Sequence, residues 1–243
     1  MLLKACLNGA RAPEDHPRLP VTPGELAADG AAVVAAGADA IHVHARDDDG
    51  LESLAPDDVA ATVSAMRDVL RVPLGVTTGE WALPDPDERL QAVGAWSVLP
   101  DFASVNFHEP GAVELAELLL DRLVGVEAGL WTPEAARTLV ASSLAPRCLR
   151  ILIEPMDPTT EAAVATVDAI EAVLGDVAPD VPRLLHGKDT TAWDVLAEAG
   201  RRGYDTRIGL EDTLRMPDGL LAPDNGELVR AAVAHYRGAE LET

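Results

Sequence analysis

AIHVHARDDDG, residues 40–50, is the stretch on which the fold turns. Ile41 and Val43 alternate with His42 and His44, and residues i and i+2 of a strand point to the same side. The two imidazoles therefore share one face, and the two β-branched side chains share the other. Arg46 and three aspartates follow at once and end the apolar run. Two readings are open from this stretch alone. Both histidines could be hydrogen-bonded core residues, or they could be a metal pair that wants a third ligand.

The same pattern recurs along the chain. Strand-like runs alternate with helical ones: LLKACLN, ADAIHVH, PLGVTTG, DFASVNF, VGVEAGL, CLRILIEP, PRLLHG and YDTRIGLED are strands. Between them lie helical segments. The first has Thr22 as N-cap, Pro23 at the first turn, Glu25 three residues after the cap and Gly37 as the stop. TPEAARTLVAS reads as a second use of the same cap. NGELVRAAVAHYRG closes the series as the eighth helix. Eight strand–helix units joined by right-handed crossovers predict a (β/α)8 barrel, a single domain over residues 1–243. An open doubly wound sheet is the runner-up, but no G-x-G-x-x-G follows the first strand.

Composition agrees. The chain is 48% hydrophobic but only 3% aromatic, so Ala, Val, Leu and Ile must build the core. No apolar run approaches the roughly 18 residues of a membrane span, and the first residues lack a signal-peptide pattern. Cys6 and Cys148 fall in apolar strand-like runs and read as reduced core residues of a cytoplasmic protein. With 19 basic against 41 acidic residues the net charge is −22. Such a surface repels nucleic acid and anionic membranes, and any polyanionic ligand must find a local basic pocket.

In a barrel of this kind the chemistry gathers where the strands end. Strand 1 delivers Asn8 and Arg11, strand 2 His42 and His44, strand 3 Thr77 and Thr78. Strand 4 delivers Ser104 and Asn106, strand 5 Glu127, strand 6 Glu154, strand 7 His186 and Lys188. Strand 8 carries Arg207, Glu211 and Asp212. The strand starts show no such convergence. This asymmetry favours the metal pair, with Glu211 as the third ligand: two imidazoles and a carboxylate leave an open position on Zn²⁺. Arg207 can pair with Asp212 or hold a substrate carboxylate. Each of the others has a plainer reading. Asn8 and Asn106 could satisfy loop backbone, Thr77 and Thr78 could be strand threonines, and Glu154 a loop carboxylate. His16 and His108 are expected at the surface, and His235 in solvent. Trp81 and Trp131 either wall the pocket or pack as a lid. Arg46 lies close enough to the histidines to matter.

LNG-x-R, LPVTP-x-EL, AGADAIHVHARD-x-DG, GVTTGEW, FASVNFHEPG, GVEAGLWTPE, RILIEP, LLHG and TRIGLEDT together resemble the β-keto acid cleavage enzymes, also known from 3-keto-5-aminohexanoate cleavage. The resemblance runs from about Leu3 to about Ala232. It is strongest in the H-x-H of strand 2 and the R-x-G-x-E-D of strand 8. It implies a zinc-dependent barrel that converts a β-keto acid and acetyl-CoA to acetoacetate and a new CoA thioester. By resemblance His42, His44 and Glu211 bind the metal, and Asp212, paired with Arg207, is the base. Thr77, Ser104 and Asn106 match positions that hold the substrate's carboxylate and reacting oxygens, and a homo-oligomer is expected. The sequence departs from the family in two ways. Arg11 stands where aminohexanoate-cleaving members use an acidic residue to read an amine, so a carboxylate or neutral tail is expected here. The loops after strands 3, 4 and 6 are short, and such loops help to build the CoA channel. Lys188 is the candidate phosphate contact for CoA, or else a plain surface lysine. Two alternatives stand beside this reading: a zinc hydrolase on the same fold, and a barrel that binds a metal or small acid without catalysis.

Overall fold

The computed structural model describes residues 1–240. Its eight strands are β1 Leu3–Cys6, β2 Ala40–Val43, β3 Leu74–Thr77, β4 Phe102–Asn106, β5 Gly125–Leu130, β6 Arg150–Ile153, β7 Arg183–Leu185 and β8 Asp205–Ile208. All pair in parallel and in chain order, and β8 returns to β1, so the sheet closes into a barrel. The helices are α1 Pro23–Ala36, α2 Pro56–Val69, α3 Pro86–Gly94, α4 Ala112–Asp121, α5 Pro133–Ser142, α6 Thr160–Leu174, α7 Ala192–Arg202 and α8 Asn225–Glu240. One helix follows each strand, as the alternation of patterns predicts. None of the described helices is long and apolar enough to cross a membrane.

Local chemistry explains where the helices begin. Thr22 Oγ1 accepts from the Glu25 backbone N–H, and the Glu25 carboxylate accepts from the Thr22 N–H at 2.9 Å, a reciprocal cap. Gly37 then turns the chain into the left-handed region at φ +116°. The expected repeat of this cap at α5 is only half formed. Thr132 caps the Ala135 N–H, but Glu134 falls one position too early to reach back and pairs with Arg137 instead.

The core has two parts. Outward-facing strand residues such as Ile41, Val43, Val76, Val105, Val126 and Ile153 pack under helix residues such as Leu26, Val63, Leu115, Leu139, Val167 and Leu196. Inside the barrel the filling is different. Lys4, Phe102, Glu127 and Arg150 form a buried charged plug beneath the C-terminal rim. Lys4 Nζ donates to Glu127 at 2.5 Å, and Arg150 Nε lies 3.3 Å from the same carboxylate. Both cations sit over the Phe102 ring, which occupies space that a Cβ at Gly75 would take. Polar convergence is thus not confined to the rim, as strand ends alone had led us to expect. Lys4 and Arg150 lie early in their strands; the Lys4 side chain crosses the barrel from β1 to Glu127 on β5, and Arg150 meets Glu127 from the neighbouring β6.

Both cysteines are buried and free. Cys6 lies in β1, but Cys148 ends the short turn before β6 instead of entering the strand. Burial pushes the Cys148 thiol up to about 12.

Candidate active site

The strand ends of β2 and β8 bring His42, His44 and Glu211 together. Glu211 Oε2 lies 3.9 Å from His42 Nε2 and 3.7 Å from His44 Nε2. Donor atoms that share one zinc at roughly 2.0–2.2 Å must lie within about 4 Å of each other; both distances from Glu211 Oε2 meet this, and the three ligand atoms all lie within 4.8 Å of one another. Glu211 Oε1 accepts from Arg207 Nη2 at 2.8 Å, whereas Oε2 is buried with no hydrogen-bond partner. An unpartnered carboxylate oxygen facing two imidazole nitrogens fits a divalent cation. Gly9 makes this approach feasible: it is left-handed at φ +56°, and a Cβ there would lie 2.3 Å from Glu211 Cγ.

Electrostatics favour the ligating forms. Burial, together with the neighbouring His44, pulls the His42 pKa down to about 3 against the pull of Glu211. Its ring is therefore neutral near pH 7, as a metal ligand must be. Glu211 stays ionised despite burial, because Arg207 and the two histidines hold its carboxyl well below the usual range. His44 Nδ1 faces Glu52 Oε1, which also accepts from Trp81 Nε1 at 2.9 Å. A carboxylate on Nδ1 fixes the tautomer that leaves Nε2 free for a metal. Glu52 was not singled out in the sequence, where it is one more acid after an acidic loop.

Behind the triad lies a second polar group. Arg207 Nε and Nη2 both donate to Asp212 Oδ1, at 3.0 and 2.8 Å, while Asp212 Oδ2 is buried without a partner. His186 bridges two carboxylates, with Nε2 2.8 Å from Glu154 Oε2 and Nδ1 3.3 Å from Asp212 Oδ1. Burial and the Arg207 charge lower the His186 pKa, but the two carboxylates outweigh them and hold it above its ordinary value. Glu154 is brought down to about 2: burial opposes ionisation, and Arg207 and His186 overcome it. The sequence had left Glu154 open as a loop carboxylate. It faces the cavity, 7% exposed.

Above these groups opens a cavity of about 110 Å³. His42, His44, Thr77, Ser104, Asn106, Glu154, His186, Arg207 and Glu211 form its polar lining. Trp81, Trp131 and Met156 form an apolar wall, and Lys188 stands exposed at the mouth. His44, Trp81, Trp131 and His108 succeed one another as a column of rings, with centroids 6.1, 6.3 and 4.3 Å apart.

Other sequence-predicted residues sit outside the cavity lining. Asn8 Nδ2 donates to the His44 carbonyl, and its Oδ1 accepts from the His44 N–H at 2.9 Å, so it pins the ligand's backbone. Thr78 donates to the Ser104 carbonyl. Glu127 lies in the middle of the six-residue β5, a layer below the rim, engaged by Lys4 and Ser104. Arg11 pairs with Asp189 and donates to the Leu210 carbonyl, while its neighbour Ala10 lines the cavity. Arg46 donates to the Gly9, Arg11 and Gly50 carbonyls and ties the first two loops together. His108 and His235 are exposed. His16, expected at the surface, is buried: its ring is held between the Ala222 carbonyl and the Arg18 N–H.

Fold and rim define the class: a (β/α)8 barrel with a candidate divalent-metal centre at the C-terminal ends of its strands. The chain belongs to the beta-keto acid cleavage enzyme family, whose sequence model matches residues 1–124 and 153–243. Among solved structures it is similar to the ternary complex of ObcA with C4-CoA adduct and oxalate, at a TM-score of 0.68 and 17% identity. That match covers 91% of this chain, which spans 64% of the length of that protein. It is also similar to the 3-dehydroquinate dehydratase of Geobacillus kaustophilus, with TM-score 0.65, 12% identity, and 99% and 90% of the two chains covered. The type I enzyme of Clostridium difficile gives 0.64, 12%, 98% and 93%. At these identities the likeness is one of fold.

Proposed function

We propose that this protein exchanges the acyl group of a small β-keto acid, taking acetyl-CoA and giving acetoacetate and a new acyl-CoA. The observation that carries this reading is the pairing of an unpartnered Glu211 oxygen between two imidazoles with an unpartnered Asp212 oxygen behind it. His42, His44 and Glu211 would hold zinc or another divalent cation. When bound, the cation supplies a Lewis acid for the keto oxygen.

Asp212 is the base. Arg207 occupies Oδ1, so Oδ2 is the oxygen that takes the proton from the carbon between the keto and carboxylate groups. The C–H electron pair passes into the enolate, whose carbon attacks the thioester carbonyl and expels CoA as its thiolate. The thiolate adds to the original keto carbon. Cleavage of the bond from that carbon to the former α-carbon releases the new acyl-CoA and the enolate of acetoacetate, which takes the proton back from Asp212. Thr77 and Asn106, with Ser104 between them, face the acid's carboxylate and reacting oxygens. The Thr77 hydroxyl accepts from the Gly79 N–H, and its own hydrogen is directed to no acceptor among the described residues. Trp81 and Trp131 cover the site and limit water. Lys188 at the mouth is the local cation that a CoA phosphate needs on a chain of net charge −22.

The test is an assay for acetoacetate with zinc-loaded protein, acetyl-CoA and a panel of β-keto acids with acidic, neutral and amino-bearing tails. We expect turnover with an acidic or neutral tail, and its loss in His44→Ala. Ester or amide hydrolysis by the zinc-loaded protein, with no acetoacetate from any acid, would replace this reading by the hydrolase.

A further inference from the structure

Each metal-facing imidazole has a second nitrogen, and the two are anchored differently. His44 meets a carboxylate directly, through Glu52. His42 meets a hydroxyl: Ser104 Oγ lies 3.4 Å from His42 Nδ1 and 3.1 Å from Glu127 Oε2. Glu127 is fully buried and clasped by two cations, with Lys4 Nζ at 2.5 Å and Arg150 Nε at 3.3 Å.

The direction of this chain of contacts follows from donor counting. A carboxylate held between two cations is ionised and can only accept. A serine hydroxyl has one hydrogen, and the shorter contact gives it to Glu127. Ser104 therefore presents a lone pair to His42, and the Nδ1 that faces it must carry a hydrogen. A neutral imidazole protonated on Nδ1 has its lone pair on Nε2, the atom that faces Glu211.

We propose that Ser104 and Glu127 are positioning residues for the metal centre: they form a hydroxyl-bridged carboxylate relay that sets the tautomer of His42, with Lys4 and Arg150 as its fixed counter-ions. The inference rests on the metal centre proposed above. It explains why a glutamate and two cations are buried together inside the barrel, below the cavity that the substrate would fill. It also gives Ser104 a role separate from substrate contact.

Zinc affinity, measured without substrate by competition with a chromophoric chelator, tests the relay. Ser104→Ala should weaken zinc binding about 10–100-fold, the usual effect of removing such a partner. Ser104→Thr, which keeps the hydroxyl, should stay within about threefold of the parent. Long-range ¹H–¹⁵N NMR of the metal-free protein should show His42 protonated on Nδ1, and this preference should be lost in Ser104→Ala. Unchanged zinc affinity in Ser104→Ala, or an Nε2-protonated His42 in the parent, overturns the relay while leaving the metal centre standing. Equal weakening in the Ala and Thr variants would show a packing effect and also overturn it. A parent that binds no zinc removes the metal centre, and the relay with it. Glu127→Gln leaves Lys4 and Arg150 buried without their counter-ion, so the serine variants carry the test.

Discussion

His186 Nδ1 lies 3.3 Å from Asp212 Oδ1, the same oxygen that takes both hydrogen bonds from Arg207. One carboxylate oxygen is thus held by a guanidinium and an imidazole, and the other is left for chemistry. We expect Asp212→Asn to lower kcat by about 10²–10⁴, the range for a positioned general base. His186→Ala should cost less, about 10–100-fold, because Arg207 still orients Asp212. Zinc content should be unchanged in both. Steady-state kinetics with metal analysis of each variant checks this; a wild-type kcat in His186→Ala would reduce the bridge to packing.

Gly9 allows Glu211 to reach the histidines. A side chain at this position would collide with Glu211 Cγ and strain a left-handed backbone. Gly9→Ala should therefore lose most of its zinc affinity, with a loss of stability of about 1–3 kcal/mol. Chelator competition and thermal melting report the two effects separately. Retained zinc binding would show that Glu211 can be ligating from a shifted position.

Asp29 gives a stability signature far from the site. Burial raises its pKa from 3.8 to about 6, in spite of the hydrogen bond that Asn225 Nδ2 donates at 2.6 Å. A group whose folded pKa is raised favours folding below its unfolded pKa, and that contribution is lost as pH rises through about 6. Asp29→Asn stays neutral and escapes the loss. Its melting temperature should gain on the parent between about pH 4 and pH 7 and then level off, a pH-dependent gain of about 3 kcal/mol by pH 8. A constant difference across this range would mean that Asp29 does not titrate in the folded state as described.

How far the sequence discloses such details depends on how the partners are separated. Period-two alternation places His42 and His44 on one face, and the Thr22–Glu25 cap is complete within four residues, so both are legible. The same cap read onto Thr132 goes wrong by a single position of Glu134. Glu211 is legible as the acid at the end of β8. Glu52 is not: it reaches His44 because an isolated antiparallel bridge between Arg46 and Glu52 folds the loop back. Nor is the Lys4–Glu127 pair, 123 residues apart, which exists only because closure sets β1 across the barrel from β5. Glu127 has a place in a strand that spacing supplies, but its depth depends on the strand's length. His186 and Glu154 come together from adjacent strands, 32 residues apart, and neither shows its partner in its own segment.

Arg11 and Lys188 make separable demands on the substrate. Arg11 is tied to Asp189, so the two charges offset each other at the rim, whereas the Lys188 side chain stands at the cavity mouth. Removing Arg11 would leave the Asp189 carboxylate uncompensated beside the entrance. Arg11→Ala should therefore raise KM for β-keto acids with acidic tails about tenfold, equivalent to about 1.4 kcal/mol, and lower the discrimination against amino-bearing tails. Lys188→Ala should instead raise KM for acetyl-CoA and leave the ranking of tails unchanged. The rise should shrink as salt is added, because an exposed charge contact is screened over about 10 Å at 0.1 M ionic strength. Measuring both KM values for each variant across the same panel separates the roles. If Arg11→Ala preserves the ranking, the Arg11–Asp189 pair is a clip between the β1 and β7 loops, and tail selection lies with the apolar wall of Trp81, Trp131 and Met156.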